Sequence, residues 1–370
     1  MKSILLIVLP LVVACSGVSP QMDVAPPSLA RSDIAHSTTS TDDAGLPEDD
    51  VPDDVPLPMP KPGAVERPNA AHPLDGVSDQ ELDRRVQEEP ASLGSMSLGS
   101  PNNGALYNGI RLPKSELYVL NDPGNAWVTE ETASYLQLAI EKVNRRFPET
   151  PKLYMGHGSA KKGGHLRPHL SHQSGRDVDV GFYYNGASRW YARASAKNLD
   201  RPRTWALVRA LITETDVRVI LLDYSVQRWL REYAESIGED KKWLRAVFKG
   251  GAGRQAIIRY ARGHRTHLHV RFYNPTAQET ARRCYSRLAQ LKLVRPLTRY
   301  ISHRAKKGDT LSHLARRYGV KVRAIRRANG MRGTVLYARK TYRIPRRVDA
   351  RPQAAVAVLP RLLPPTPSQP

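Results

Sequence analysis

Cysteine is nearly absent from this chain, since its 370 residues include only Cys15 and Cys284. A zinc site built from thiolates is therefore excluded, and any metal must be held by histidine, aspartate or glutamate. Long apolar runs are also scarce. After the first residues, no stretch is apolar for long enough to predict a transmembrane helix.

The first residues predict export. Lys2 precedes an apolar run from Ile4 to Ala14, which is typical of a secretory signal peptide over residues 1–14. The run ends in Val12-Val13-Ala14-Cys15, which resembles a bacterial lipobox and predicts a lipid on Cys15. An ordinary signal peptide with an incidental cysteine is the alternative. With Cys15 lipidated, Cys284 has no partner, so we expect no internal disulfide and no membrane anchor except the lipid. Ser16 resembles the residues that permit sorting to the outer membrane, so we expect a periplasmic, outer-membrane-anchored lipoprotein.

Charge is strongly one-sided, with a formal net charge of +22. Residues 16–92 nevertheless contain 16 acidic and 5 basic residues, so the positive charge is concentrated in the rest of the chain. Such a basic region favours a polyanionic partner. Because the chain is predicted to be exported, the anionic groups of the cell wall fit better than nucleic acid, which we do not expect as a partner.

Composition also divides the chain. Residues 15–100 are predicted to form a disordered, acidic and proline-rich linker, because 46–62 combine repeated prolines with paired acids and no aromatic residue. Residues 79–89 within it also fit a short helix. The proline-rich tail, residues 347–370, is likewise predicted to be disordered.

Residues 101–295 are predicted to form one α+β domain around an antiparallel sheet. Apolar periodicity and helix-capping residues predict helices over 130–147, 203–214, 227–235 and 276–291, and strands over 153–156, 177–183, 217–222 and 266–272. The clearest helix begins after Thr129.

Histidine and aspartate are concentrated in residues 168–179 and 264–270. Side chains alternate along a strand, so His267 and His269 point the same way, as do Asp177 and Asp179. Two neighbouring strands would then direct imidazoles and a carboxylate to one point, which suits zinc with an open position for water.

Other interpretations of these residues remain open. A His-x-His pair arises often by chance, and the two aspartates also fit a solvated strand face. His157 and His165 lie in a glycine-rich stretch, where we interpret them as solvated loop residues.

The two clusters together resemble a known family. Ser171-His-Gln-Ser-Gly-Arg-Asp-Val-Asp179 and His264-x-x-His267-x-His269 resemble the penicillin-insensitive murein endopeptidases. These belong to a zinc peptidase group that includes D-Ala-D-Ala carboxypeptidases and lysostaphin-like enzymes. The group is marked by a histidine, an aspartate seven positions on, and a distant His-x-His. Well-studied members contain disulfides, from which this chain departs.

The resemblance implies a Zn²⁺ cofactor with three protein ligands: His172, Asp179 and His269. It also implies histidines that take part in catalysis at the same site: His267, His264 and His169. Asp177 fits either a hydrogen bond to a ligand histidine or a purely structural role.

Residues 302–346 resemble a LysM domain. Apolar spacing predicts a βααβ unit in which Gly319 ends the first helix. The resemblance rests on Gly308-Asp309-Thr310-Leu311-Ser312 together with Ala328-Asn329-Gly330. It implies binding of N-acetylglucosamine-containing glycan by Gly308, Asp309, Thr310, Leu311, Asn329, Gly330 and Met331. His303 and His313 are interpreted as ordinary surface residues.

The sequence therefore predicts a zinc-dependent murein endopeptidase that cuts the peptide cross-links of peptidoglycan and is targeted to the wall by LysM. One alternative is a D,D-carboxypeptidase that trims stem peptides. Another is a non-catalytic, peptidoglycan-binding lipoprotein.

Overall fold

The structure, a computed structural model, describes residues 72–251, 253–347 and 358–365. The predicted signal peptide, the lipid on Cys15, the linker up to residue 71 and most of the tail lie outside the described residues. No helix in the described part of the chain has the length and apolar character needed to cross a membrane.

Helices and strands alternate irregularly along the described chain. The helices are α1 (Asp79–Glu88), α2 (Glu130–Arg146), α3 (Arg201–Glu214), α4 (Tyr224–Ser236), α5 (Lys241–Lys249), α6 (Pro275–Gln290), α7 (Leu311–Tyr318) and α8 (Val322–Ala328). The strands are β1 (Met96–Ser100), β2 (Asn103–Tyr107), β3 (Ile110–Arg111), β4 (Tyr118–Leu120), β5 (Trp127–Val128), β6 (Leu153–Met155), β7 (Asp177–Gly181), β8 (Val217–Leu222), β9 (Ile258–Tyr260), β10 (His267–Phe272), β11 (Thr298–Arg304) and β12 (Thr341–Arg347). The predicted α+β class is confirmed.

The central sheet has six strands in the order β4-β6-β7-β10-β8-β9. The pairs β6–β7, β7–β10 and β10–β8 are antiparallel, as predicted for the sheet. The outer pairs β4–β6 and β8–β9 are parallel, so the sheet is mixed and the antiparallel prediction holds only for its centre. Helix α2 intervenes between β4 and β6, and α4 and α5 between β8 and β9, which gives these strand pairs the long connections that parallel pairing requires.

Helix α2 shows how local sequence fixes an element of the core. The Thr129 side chain accepts a hydrogen bond from the backbone amide of Thr132, which caps the helix where the sequence predicted. Its buried face is formed by Thr132, Ala133, Leu136, Ala139, Ile140 and Val143. This apolar stripe packs into the main core together with strand residues such as Val180 and Val270.

The linker prediction is wrong for residues 72–100. They form α1, which confirms the alternative of a short helix at 79–89, and β1, which pairs with β2. Leu82 and Val86 of α1 and Met96 and Leu98 of β1 are buried in a second core against α6. The acidic, proline-rich composition of the preceding residues led to the prediction of disorder, although α1 is a short amphipathic helix.

The C-terminal βααβ unit matches its prediction. Strands β11 and β12 form an antiparallel pair, and α7 and α8 lie between them in the chain. Gly319 ends α7 in the left-handed conformation, with φ +64°. The surface interpretation of His303 is wrong. Its side chain is buried, with Nδ1 2.8 Å from the Tyr318 hydroxyl and Nε2 2.9 Å from Asp309 Oδ2. It therefore joins β11 to α7 and to the loop between them.

Residues 358–365 lie against the domain that contains the central sheet, although they were predicted to be disordered. Trp243 Nε1 donates a hydrogen bond to the Leu362 carbonyl at 2.9 Å, and Arg254 Nη1 donates to the Pro360 carbonyl at 2.7 Å. Arg361 forms a 3.2 Å ion pair with Asp216. The proline-rich composition of the tail predicted disorder. The contacts could not be predicted from local sequence, because their partners are more than a hundred residues away.

Candidate metal centre

The register of β7 and β10 brings the two sequence clusters together. In this antiparallel pair His269 lies opposite Asp179, and Arg271 lies opposite Asp177. The alternate residues of both strands, Val178, Val180, Leu268 and Val270, belong to the main apolar core. Because side chains alternate, the histidines and aspartates project from the other face of the sheet.

The side chains of Asp179 and His269 meet that of His172, which lies in the loop before β7. Asp179 Oδ1 is 3.2 Å from His172 Nε2 and 3.3 Å from His269 Nδ1, and the two histidine nitrogens are 3.2 Å apart. All three residues are buried. Ligand atoms at about 2.05 Å from a tetrahedral zinc ion lie about 3.3 Å from one another, so the three separations fit such an ion.

The polar neighbours of the two histidines favour a lone pair on each converging nitrogen. His172 Nδ1 lies 2.6 Å from the Gly158 carbonyl, to which it can only donate, so Nε2 carries no proton in the neutral ring. His269 Nε2 lies 3.5 Å from Asp177 Oδ2. Asp179 Oδ1 is buried without a hydrogen bond of ordinary geometry. A cation would satisfy this oxygen and both nitrogens together.

Asp177 is held by a buried ion pair. Arg271 Nε and Nη2 donate to its two carboxylate oxygens at 2.8 and 3.0 Å, and both side chains are fully buried. Burial alone would raise the pKa of Asp177, but Arg271 and His269 outweigh it and hold the pKa well below its usual range. The carboxylate is therefore ionised, pairs with Arg271 and faces His269 Nε2 at 3.5 Å.

The remaining site histidines surround this group. His267 Nε2 is 3.5 Å from Asp179 Oδ1, and its Nδ1 is 2.9 Å from Thr266 Oγ1. The His264 ring lies 4.9 Å from the His267 ring, centroid to centroid. Burial, reinforced by neighbouring histidines, lowers the pKa of His267 and lowers the pKa of His264 and of His169 to about 3. These imidazoles are neutral at neutral pH, as metal ligands and proton acceptors must be.

At this site, sequence reasoning misjudged His157 and missed two aromatic residues. His157, interpreted as solvated, is half-buried and lies 2.8 Å from His169, whereas His165 is exposed as expected. The Tyr191 ring stacks on His267 with 5.8 Å between centroids, and Trp190 lies beside it. These aromatic residues lie in the connection between β7 and α3, where no periodicity singles them out.

In the C-terminal unit, four of the predicted glycan-binding residues have structural side-chain roles. Asp309 binds His303, Thr310 caps α7 and Leu311 is buried in the small core. The Asn329 amide bonds to the backbone of Ile325 and of Arg343. The remaining three, Gly308, Gly330 and Met331, are exposed or half-buried. A glycan would therefore meet backbone and surface atoms in these loops more than the four side chains.

A convergent His/Asp/His group on a mixed sheet, with further neutral histidines around it, defines a candidate metallopeptidase centre. Residues 97–290 match the family model of the penicillin-insensitive murein endopeptidases. This match covers more than half of the 370 residues, and the chain belongs to that family. Residues 303–345 match the LysM domain. No curated protein matches the chain. Both domains indicate peptidoglycan binding and a location in the cell envelope or periplasm.

The buried Asp177–Arg271 pair generates a stability prediction. Arg271→Met leaves an ionised carboxylate buried without its partner, so the free energy of unfolding should fall by about 3–5 kcal/mol. Urea unfolding followed by tryptophan fluorescence measures this loss, because all five tryptophans lie between residues 127 and 243.

Arg282→Met is the matched control for this prediction. Arg282 pairs with Glu279 at the surface of α6, and loss of that partly exposed pair should cost less than about 1 kcal/mol. If the two variants lose the same free energy of unfolding, the buried pair contributes no more to stability than the surface pair.

Proposed function

We propose that this protein is a zinc-dependent murein endopeptidase that hydrolyses D-alanyl-diaminopimelate cross-links of peptidoglycan. The main support for this proposal is the convergence of His172 Nε2, His269 Nδ1 and Asp179 Oδ1, which lie 3.2–3.3 Å from one another. The LysM domain would hold the enzyme on the glycan of its substrate.

The proposed ligands are His172, Asp179 and His269. Zinc supplies Lewis-acid chemistry at such a site, since it polarises a peptide carbonyl and makes water more acidic. The chain contributes the orientation of the ligands. The Gly158 carbonyl fixes the ring of His172, and ionised Asp177, itself held by Arg271, faces Nε2 of His269.

His267 is proposed as the catalytic histidine. Its pKa is lowered by burial, so it is neutral before the reaction and can take up a proton at Nε2, the nitrogen that faces Asp179. In the protonated form it would stabilise the negative charge that develops on the peptide carbonyl oxygen. His264, beside His267, and His169 would relay the proton to the leaving amine.

The sequence before residue 72 supports a tether. We propose that Cys15 carries the lipid and that the acidic linker after it lets the catalytic domain reach the wall from the outer membrane. The basic charge of the folded part would add attraction to the anionic groups of the wall.

Digestion of purified, cross-linked muropeptide dimers tests the reaction. The protein should convert dimers to monomers, because its proposed bond lies in the cross-link, and mass spectrometry of the products measures this. Release of a single D-alanine would instead identify a D,D-carboxypeptidase. Intact dimers after incubation with zinc would identify a non-catalytic wall-binding protein.

Zinc content and turnover together separate the roles of His267 and His269. His269→Ala should lose zinc and activity together, because two remaining ligands hold zinc poorly. His267→Ala should keep its zinc yet lose activity by about 10²–10³, the usual loss on deleting one group that stabilises an oxyanion. His172→Ala is the control for a lost ligand. Retention of zinc by His269→Ala with loss from His267→Ala would reverse the two assignments.

Two truncations isolate the contribution of LysM to wall binding. A variant that ends after Leu297 lacks LysM and the segment 358–365, whereas one that ends after Arg347 keeps LysM and lacks only the C-terminal tail. Binding to intact sacculi in about 1 M salt, where the Debye length is about 3 Å, suppresses attraction by charge alone. We expect the shorter variant to bind at least about tenfold more weakly than the longer one. Equal binding would exclude LysM as the wall anchor.

A further inference from the structure

Asp179 presents its second carboxylate oxygen to a different pair of histidines. Whereas Oδ1 faces His172, His267 and His269, Oδ2 lies 3.8 Å from His169 Nε2. His169 Nε2 is in turn 2.8 Å from His157 Nδ1. His157, His169 and Asp179 each contribute one possible ligand atom, and these three atoms lie within 4.8 Å of one another. This second group shares only Asp179 with the first.

The environment of His157 is that of a metal-binding histidine. Its Nε2 lies 3.1 Å from Asp122 Oδ2, and the Asp122 carboxylate also accepts hydrogen bonds from the Asn125 side chain and from the Gly124 amide. With its proton on Nε2, facing Asp122, His157 has its lone pair on Nδ1 and accepts a hydrogen bond from His169 Nε2. Binding of an ion would replace the proton that these two nitrogens share. A carboxylate that holds the outer nitrogen in this way is the usual partner of a ligand histidine.

The donor set and its accessibility favour zinc. Two imidazole nitrogens and one carboxylate oxygen are a common zinc ligand set. Ligand atoms around a tetrahedral zinc ion are about 3.3 Å apart. The nitrogens of His157 and His169, 2.8 Å apart, would have to separate slightly, and His169 Nε2 and Asp179 Oδ2, 3.8 Å apart, would have to approach each other, so both rings must rotate when the ion binds. The side chains of His157 and His169 are 27% and 20% exposed, so an ion can enter from solvent, whereas His172 is fully buried.

We propose that His157, His169 and Oδ2 of Asp179 form a second zinc site, with Asp179 bridging it to the site of His172 and His269. A bridging carboxylate is compatible with the metal separation of about 3.5–4 Å found in two-metal hydrolases. When the second site is filled, His169 is a ligand and no longer free to relay protons. Zinc concentration would thus decide which of two roles His169 performs.

The number of zinc ions bound per chain tests this proposal. The full-length protein is dialysed to equilibrium against graded concentrations of zinc(II), and bound zinc is measured by mass spectrometry of the metal. We expect two zinc ions per chain for the unaltered protein and one for His157→Ala. His165→Ala is the matched control, because His165 is an exposed histidine of the same stretch, and it should bind two.

The outcomes separate this site from the proposed catalytic one. If the unaltered protein binds one zinc ion and His157→Ala also binds one, the second site is overturned. The short distance between His157 and His169 is then explained by a hydrogen bond alone. One zinc ion that His157→Ala loses and His269→Ala retains supports the second site and contradicts the proposed catalytic site. Circular dichroism checks that His157→Ala is folded, and His157→Gln replaces it if it is not. Equal zinc counts for the His157 variant and the unaltered protein also overturn the proposal.

Discussion

The antiparallel register of β7 and β10 is the constraint on which the site depends. It sets His269 opposite Asp179 and Arg271 opposite Asp177. If either strand slipped by one residue, its apolar side chains would turn out of the core and its charged side chains would turn into it. The Asp177–Arg271 ion pair links the same two strands and would be broken by such a slip. Apolar packing on one face and ion pairing on the other therefore specify one register.

Burial gives the histidine cluster its chemical character. Several imidazoles lie so close that protonation of one disfavours protonation of the next, and the loss of solvation acts in the same direction. Neutral imidazoles next to ionised Asp179 form a region with the lone pairs that a cation needs. Because a protonated imidazole has no lone pair, the burial that lowers the pKa of His169, His264 and His267 leaves these three rings able to accept a proton.

Local signals predicted most of the regular elements and the placement of His267 and His269 on one face of β10. The caps and apolar faces of α2, the alternation along β10 and the αL position of Gly319 each act within a few residues, where one sequence is sufficient. The convergence of His172 with His269 could be anticipated only through resemblance, because nearly a hundred residues separate them. The prediction was incomplete where long-range packing decides, as for α1 against α6 and for the segment around Leu362 against Trp243. His157 and His303 were misjudged because their partners, Asp122 and Tyr318, are invisible to local pattern.

The segment 358–365 changes how the LysM domain is attached. The chain leaves the catalytic domain after α6, forms LysM, and returns to bind the catalytic domain through Trp243, Arg254 and Asp216. LysM is thus joined at both of its ends, as an inserted domain is, and not at one end like a pendant module. Two attachments restrict the volume that a domain can sweep and so raise the effective concentration of one domain near the other's ligand. On the proposed function, glycan held by LysM would consequently present only nearby stem peptides to the candidate metal centre, so that each binding event samples a short stretch of wall.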